Sequence, residues 1–264
     1  MLPTSFHQTD TEMKIAYCIP SFFNSGGMER VLSVKANYLA KQGWEVTIIT
    51  TGQKDRPPYY SLLPNIRLVD LNINYDEEEN LPLYKKWKRL MRKKKLHHDR
   101  LDAFLKQLHA NIVVSMFTHE TSFLYHIKDG SSKVLELHFS RYFRDLHNKY
   151  NHVGLLTRII GKLANYRDAK AVKHYTRFVV LTEEDKESWK SYPNVVTIPN
   201  PIPFHNMVRT EFRTKEAIAV GRLCPQKGFD LLIEAWKRLD DCIRKQWHLS
   251  IYGSGPERKV LISQ

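Results

Sequence analysis

Two cations five residues apart, Arg222 and Lys227, stand in the stretch AVGRLCPQKGFDLLIEAW (219–236), with Gly221 and Gly228 beside them. A pair of fixed cations flanked by glycines can clamp a diphosphate, because glycine lets the backbone approach the ligand closely. The same residues also suit a solvated loop with ordinary surface charge. A second stretch, PSFFNSGGMER (20–30), sets Gly26 and Gly27 between an apolar run and an amphipathic one. Such glycines can clear space in front of a helix N-terminus, whose N–H groups and partial positive charge suit a phosphate. A tight turn that needs positive φ explains them equally well. The spacing is not GxGxxG, so no dinucleotide fingerprint is supported. His138 closes the run KVLELHF, at the end of a candidate parallel strand, where ligands sit in open α/β folds. It is one of twelve histidines, most of which must be structural or on the surface; His119 and His126 are read as structural.

Other chemistry is not indicated. Cys18, Cys224 and Cys242 are far apart and form no C-x-x-C pair, so neither a zinc site nor a disulfide framework is expected. No Asp-x-Asp motif is present to hold a metal.

One segment carries charge of a different kind. LPLYKKWKRLMRKKKLHHDRL (81–101) holds eight Lys or Arg between 85 and 95, including Lys93 and Lys94. Leu83, Trp87, Leu90 and Met91 fall among them at helical spacing. A basic amphipathic helix with a tryptophan reads as an element that docks on an anionic membrane surface, or as a solvated helix covering a sheet edge. RYFRDLHNKY (141–150), with Arg141 and Arg144 among aromatics, could grip an acceptor's phosphate or sugar, or be a surface loop.

The elements that must position these residues are legible as alternating runs. Probable strands are 14–20, 45–51, 66–71, 111–117, 133–139, 177–182 and 195–199, several of them apolar on both faces, as strands buried in a parallel sheet are. Amphipathic stretches between them predict helices at MERVLSVKANYLAKQG, RLDAFLKQLHA, ETSFLYHIKD, 155–174 and EEDKESWKSY. The alternation implies an α/β fold with a doubly wound parallel sheet. IPNPIPF (198–204) breaks the pattern with three prolines and predicts a boundary, giving one domain over 13–203 and another over 204–264. After it come one strand, one helix, a second strand and the start of a helix. A lone β-α-β unit leaves apolar sheet faces uncovered, so the second domain is expected to be incomplete.

Composition agrees. With 42% hydrophobic residues a packed core is expected, and the excess of 41 Lys plus Arg over 28 Asp plus Glu, a net charge of +13, points to an anionic partner. No nucleic-acid-binding motif accompanies the charge, so no nucleic-acid partner is expected. The first twelve residues are polar, and Met13 could be the true start.

GRLCPQKGFDLLIEAWKRL, followed by LSIYGSGPE, resembles the start of the C-terminal domain of family-4 glycosyltransferases, retaining enzymes of the GT-B fold with two Rossmann-like domains facing across a cleft. KIAYCIPSFFNSGGMERVLSVKANYLAKQGWEVTIIT looks like their first strand, glycine loop and helix, and IPNPI like their interdomain segment. Within the family the pattern is similar to bacterial exopolysaccharide enzymes of the amylovoran type. The resemblance implies a donor that is a nucleotide sugar, UDP- or GDP-linked, with no separate cofactor, and a glycan acceptor that is often lipid-linked. Arg222 and Lys227 would hold the donor diphosphate and His138 would reach the donor sugar. Gly26 and Gly27 would line the cleft, and Gly253 and Gly255 would lie near the nucleotide. A cytoplasmic protein docked peripherally at the inner face of the bacterial membrane is implied. The family also has a later pair of glutamates eight positions apart, which this sequence does not reach. The expectation is therefore little or no transferase activity from the chain alone, with a non-catalytic glycan- or membrane-binding remnant as the alternative.

Overall fold

The computed structural model describes residues 13–76, 82–141, 155–202 and 214–264. Those up to Arg141, with 165–202, belong to one compact unit; residues 155–164 and 214–264 belong to a second.

The first unit is built on seven parallel strands: β1 (Lys14–Ile19), β2 (Glu45–Thr50), β3 (Arg67–Asp70), β4 (Ile112–Ser115), β5 (Ser132–Glu136), β6 (Arg177–Val180) and β7 (Val195–Thr197), in the order β3-β2-β1-β4-β5-β6-β7. All seven expected strands form. The central ones are apolar on both sides because both faces are covered. From β1, Ile15, Tyr17 and Ile19 join a core with Leu32, Ala36 and Ala40 of helix α1 (Gly27–Lys41). Ala16 and Cys18 turn to the opposite core, filled by Leu101 and Leu105 of α2 (Leu83–Leu108) and by Val172 at the end of α3 (Leu155–Val172). A fully buried leucine such as Leu101 contributes about 2 kcal/mol by removal from water.

The order in which strands are added reverses between β1 and β4: the chain lays β2 and β3 to one side of β1, then crosses over to place β4 on the other. In open α/β sheets this switch point opens a crevice outside the carboxyl ends of the strands. The backbone marks the same edge: Lys54, Asp55, Asn72, Asn74 and Phe117, all with positive φ, lie in the loops after β2, β3 and β4. Strain of this kind in non-glycine residues gathers where a loop is held for function.

One expected helix does not form. ETSFLYHIKD gives only two short 3-10 turns, His119–Ser122 and Leu124–His126. Glu120 is buried, and its carboxylate accepts from Ser115 Oγ at 2.6 Å and from Thr118 Oγ1 at 2.7 Å, while Tyr175 Oη donates to the Thr121 carbonyl at 2.9 Å. These contacts take the place of helical backbone bonds.

After α4 (Glu183–Ser188) and β7, the second unit pairs β8 (Glu216–Val220) with β9 (His248–Tyr252) in parallel. Between them lie α5 (Phe229–Lys237) and the short α6 (Asp241–Gln246), and α7 (Arg258–Ser263) follows. Ile218, Val220, Leu231, Tyr252, Val260 and Ile262 are exposed here.

Candidate active site

The loop after β1 is braced from beneath. Phe22 is fully buried, and its N–H donates to Gln53 Oε1 at 2.8 Å, which ties the loop after β1 to the loop after β2. Neither Gly26 nor Gly27 has positive φ; Gly26 is extended at φ −71°, ψ 158°. The tight-turn explanation therefore fails, and the two glycines have different reasons. A Cβ on Gly26 would lie 2.1 Å from Glu29 Oε2, because the Glu29 side chain folds back over the helix start. A Cβ on Gly27 would meet nothing within 4 Å, so that side of the first turn is open. Glu29 is buried, and its negative charge complements the helix N-terminus.

Next along the edge, β5 ends in Glu136 and is followed by His138. His138 Nε2 lies 3.2 Å from Glu136 Oε2, and Lys35 of α1 pairs with Glu136 Oε1 at 2.5 Å. Burial alone would raise the Glu136 carboxyl, but the His138 hydrogen bond and the Lys35 charge outweigh it and hold the group below the usual range. Lys35 also lies 5.5 Å from the Tyr17 ring centroid. The sequence offered one signal for this trio: a glutamate inside an otherwise apolar strand, on the same face as the histidine two residues on.

The loops after β3 and β4 meet in a ladder of rings. Tyr75 stacks on His119 at 3.8 Å between centroids, and Tyr75 Oη contacts His97 Nδ1 at 3.1 Å. Burial, with the neighbouring cationic side chains, lowers His97 to about 3 and His119 to about 4. Both rings are neutral at physiological pH and act as packing groups.

The basic helix divides in two. Lys93 Nζ donates to the Asn74 carbonyl, and Lys94 Nζ donates to Ser122 Oγ at 2.9 Å, so both ammonium groups are turned onto the protein. Burial, with Arg167 nearby, lowers the Lys94 pKa. Trp87, by contrast, is 66% exposed, and Tyr84, Leu90 and Met91 are exposed with it. Arg141 donates to the Ser188 carbonyl and lies 4.4 Å over the Trp189 ring. Arg144 lies outside the described residues.

In the second unit, Arg222 and Lys227 are exposed in the loop that follows β8, and the Lys227 stem passes 3.8 Å from where a Gly221 Cβ would be. Gly228, at φ +65°, is the N-cap of α5, a conformation that glycine adopts without strain. The loop after β9 is zipped to this one: Leu223 N donates to Ser254 O at 2.9 Å and Glu257 N to Leu223 O at 3.1 Å. A Cβ on Gly253 would stand 1.9 Å from Gly221 O, and one on Gly255 2.2 Å from Leu223 O. These glycines are required by backbone packing that shapes the cation loop. No ion pair holds Arg222 or Lys227 among the described residues, and two exposed cations beside a helix N-terminus can receive an anion with two phosphates.

Comparison with known proteins decides the family. Residues 25–205 match Glycosyltransferase Family 4, and residues 208–264 match Glycosyl transferases group 1. The chain belongs to glycosyltransferase family 4. A Haemophilus influenzae protein named an uncharacterized glycosyltransferase is 30% identical over 256 residues, covering 94% of this chain and 64% of its own length. The amylovoran biosynthesis glycosyltransferase AmsD of Erwinia amylovora is 27% identical, covering 95% of this chain and 65% of its own length. This family-4 chain thus spans slightly under two-thirds of these curated relatives. Among solved structures, the lipopolysaccharide outer core galactosyltransferase WaaB superposes with a TM-score of 0.63 at 16% identity, over 95% of this chain and 64% of that one. Staphylococcus aureus TarM gives 0.64 at 12% identity, over 95% and 74%. The shared fold is GT-B, as the sequence resemblance implied.

Proposed function

We propose that this chain carries the acceptor-side domain and the diphosphate clamp of a retaining glycosyltransferase, which moves a sugar from a UDP- or GDP-linked donor to a glycan in surface-polysaccharide biosynthesis. The observation that carries the reading is the Arg222–Lys227 loop, held open by backbone zipping at Gly253 and Gly255, in a chain of this family. Two cations placed where the diphosphate leaves stabilise the charge that develops on it, the kind of preorganised electrostatics that dominates many rate enhancements. The acceptor oxygen bonds to the anomeric carbon on the face from which the phosphate oxygen departs, and the hydroxyl's proton passes to that phosphate, so the anomeric configuration is kept. Gly26, Gly27 and His138 line the acceptor side, at the carboxyl edge of the seven-stranded sheet.

The acceptor is lipid-linked in this reading, and the exposed turns of α2 dock on an anionic bilayer. Trp87, Tyr84 and Met91 supply apolar contact, and Lys85, Lys88 and Arg92 supply charge at about 1 kcal/mol each. No helix among the described residues is long and apolar enough to cross a membrane. The sheet that carries the clamp has two strands with exposed faces, so the 264-residue chain alone turns over slowly if at all.

A panel of UDP- and GDP-sugars tests the reading. Titration is expected to perturb backbone amides between Gly221 and Gly228 in nuclear magnetic resonance spectra, and a chain that responds to no donor contradicts it. Sugar transfer to glycans on anionic vesicles is expected to be slight. Robust turnover would refute the inactivity, and inversion at the anomeric carbon would refute the retaining assignment. Equal binding to neutral and anionic vesicles would count against the membrane face.

A further inference from the structure

We propose that Glu136 is a positioning residue for His138: it fixes the imidazole with Nε2 turned onto its own carboxylate and Nδ1 left for a ligand hydroxyl, and Lys35 is its counter-charge. This rests on the reading of His138 as a ligand-facing residue of the acceptor-side domain.

The geometry carries it. Glu136 Oε2 and His138 Nε2 are 3.2 Å apart, on a strand where residues two apart share a face. A carboxylate can only accept, so Nε2 must carry the proton and donate it. In the neutral ring Nδ1 is then the acceptor, and no described side chain or backbone group occupies it. The second carboxylate oxygen, Oε1, is taken by Lys35 Nζ at 2.5 Å, which leaves Glu136 ionised and immobile between two partners. The titratable and charged groups that face Glu136 are Lys35 from α1, Tyr17 from β1 and His138 beyond β5 itself.

Packing alone does not account for the trio. Its side chains are 26%, 8% and 6% exposed for Lys35, Glu136 and His138, beside a core layer of aliphatic and aromatic side chains that includes Ile15, Tyr17, Ile19, Val114 and Met116. Replacing a buried ion pair by well-packed apolar side chains is often neutral or stabilising, so a salt-bridged carboxylate is a poor choice for filling that space. It is a good choice for holding one tautomer of one ring at the edge where ligands bind.

The test is the ring nitrogen spectrum of His138 in the 264-residue chain, which needs no donor and no turnover. The Nε2–H tautomer is expected in the unsubstituted protein. Glu136→Gln offers the ring an amide N–H as well as an amide oxygen, so the fixed Nε2–H preference is expected to give way to a mixture of tautomers. Glu136→Leu is expected to abolish the tautomer preference and the response of Nδ1 to the UDP- and GDP-sugar panel. An Nδ1–H tautomer in the unsubstituted chain would overturn the proposal, as would an Nε2–H tautomer unmoved by these substitutions. Should Glu136→Leu fail to fold, the mixed tautomers expected of Glu136→Gln still decide. A fixed tautomer in a chain that binds no nucleotide sugar would sink the transferase reading and leave the positioning intact; donor binding with a mobile tautomer would do the reverse.

Discussion

β1 and β8 are both short parallel strands of apolar residues, and each runs into a glycine-bearing loop and then a helix. Their surroundings differ sharply. In β1 every residue after Lys14 is buried, between α1 on one side and α2 on the other. In β8 burial merely alternates between exposed and half-buried, with Ile218 69% and Val220 74% exposed. The loop after β8 is nevertheless tied down by backbone bonds, from Gly221 N to Tyr252 O and from Leu223 N to Ser254 O. A loop that presents two exposed cations can therefore be set by local backbone zipping, whereas stability depends on burial from both faces of a sheet.

Hydrogen exchange should show the contrast most strongly. Amides of β1 and β4 are expected to exchange about a thousandfold more slowly than those of β8 and β9, a gap of about 4 kcal/mol in opening free energy. Equal protection in both sheets would break the comparison. Truncation of core side chains sharpens it: Leu105→Ala should cost about 3 kcal/mol in denaturant unfolding, and Ile218→Ala less than about 0.5 kcal/mol. The glycines make a matched pair. Gly253→Ala forces a Cβ against a carbonyl oxygen and is expected to cost on the order of 2 kcal/mol, all of it in the second unit, whereas Gly27→Ala enters open space and should change stability by less than about 0.5 kcal/mol.

The effect of pH acts on the first unit. His97 and His119 have folded-state pKa values lowered to about 3 and about 4, below the unfolded value of 6.5. The unfolded chain therefore binds more protons in the window between those values, and stability is lost as pH falls from about 6.5 toward 4. Each ring contributes at most about 1.4 kcal/mol per pH unit there. Thermal melts between pH 7 and 5 should fall in the first unit, and His97→Gln should flatten the slope.

The sequence showed the strands well because parallel strands buried on both faces are continuous apolar runs, as in EVTIIT and IVVS. It also showed the cation loop, where Arg222, Lys227 and the glycines are neighbours in the chain. It missed what distant residues build together. Lys35 and Glu136 are 101 residues apart, and only the sheet brings α1 over the end of β5. The reading of 120–129 as a helix failed because the pattern carries no sign of where Glu120 finds its partners. Lys93 and Lys94 looked like part of one cationic face, yet a helix surrounded by loops on one side sends adjacent lysines to different surroundings. The six-residue α6 is too short to show a helical period.

The most direct test of the account titrates inorganic pyrophosphate into the chain and into Arg222→Ala/Lys227→Ala, following backbone amides by nuclear magnetic resonance. The account predicts shifts centred on residues 221–228 in the unsubstituted protein, and at least a tenfold weaker response in the double variant, about 1.4 kcal/mol of lost binding. Pyrophosphate shifts that fall elsewhere, or that survive loss of both cations, would contradict it.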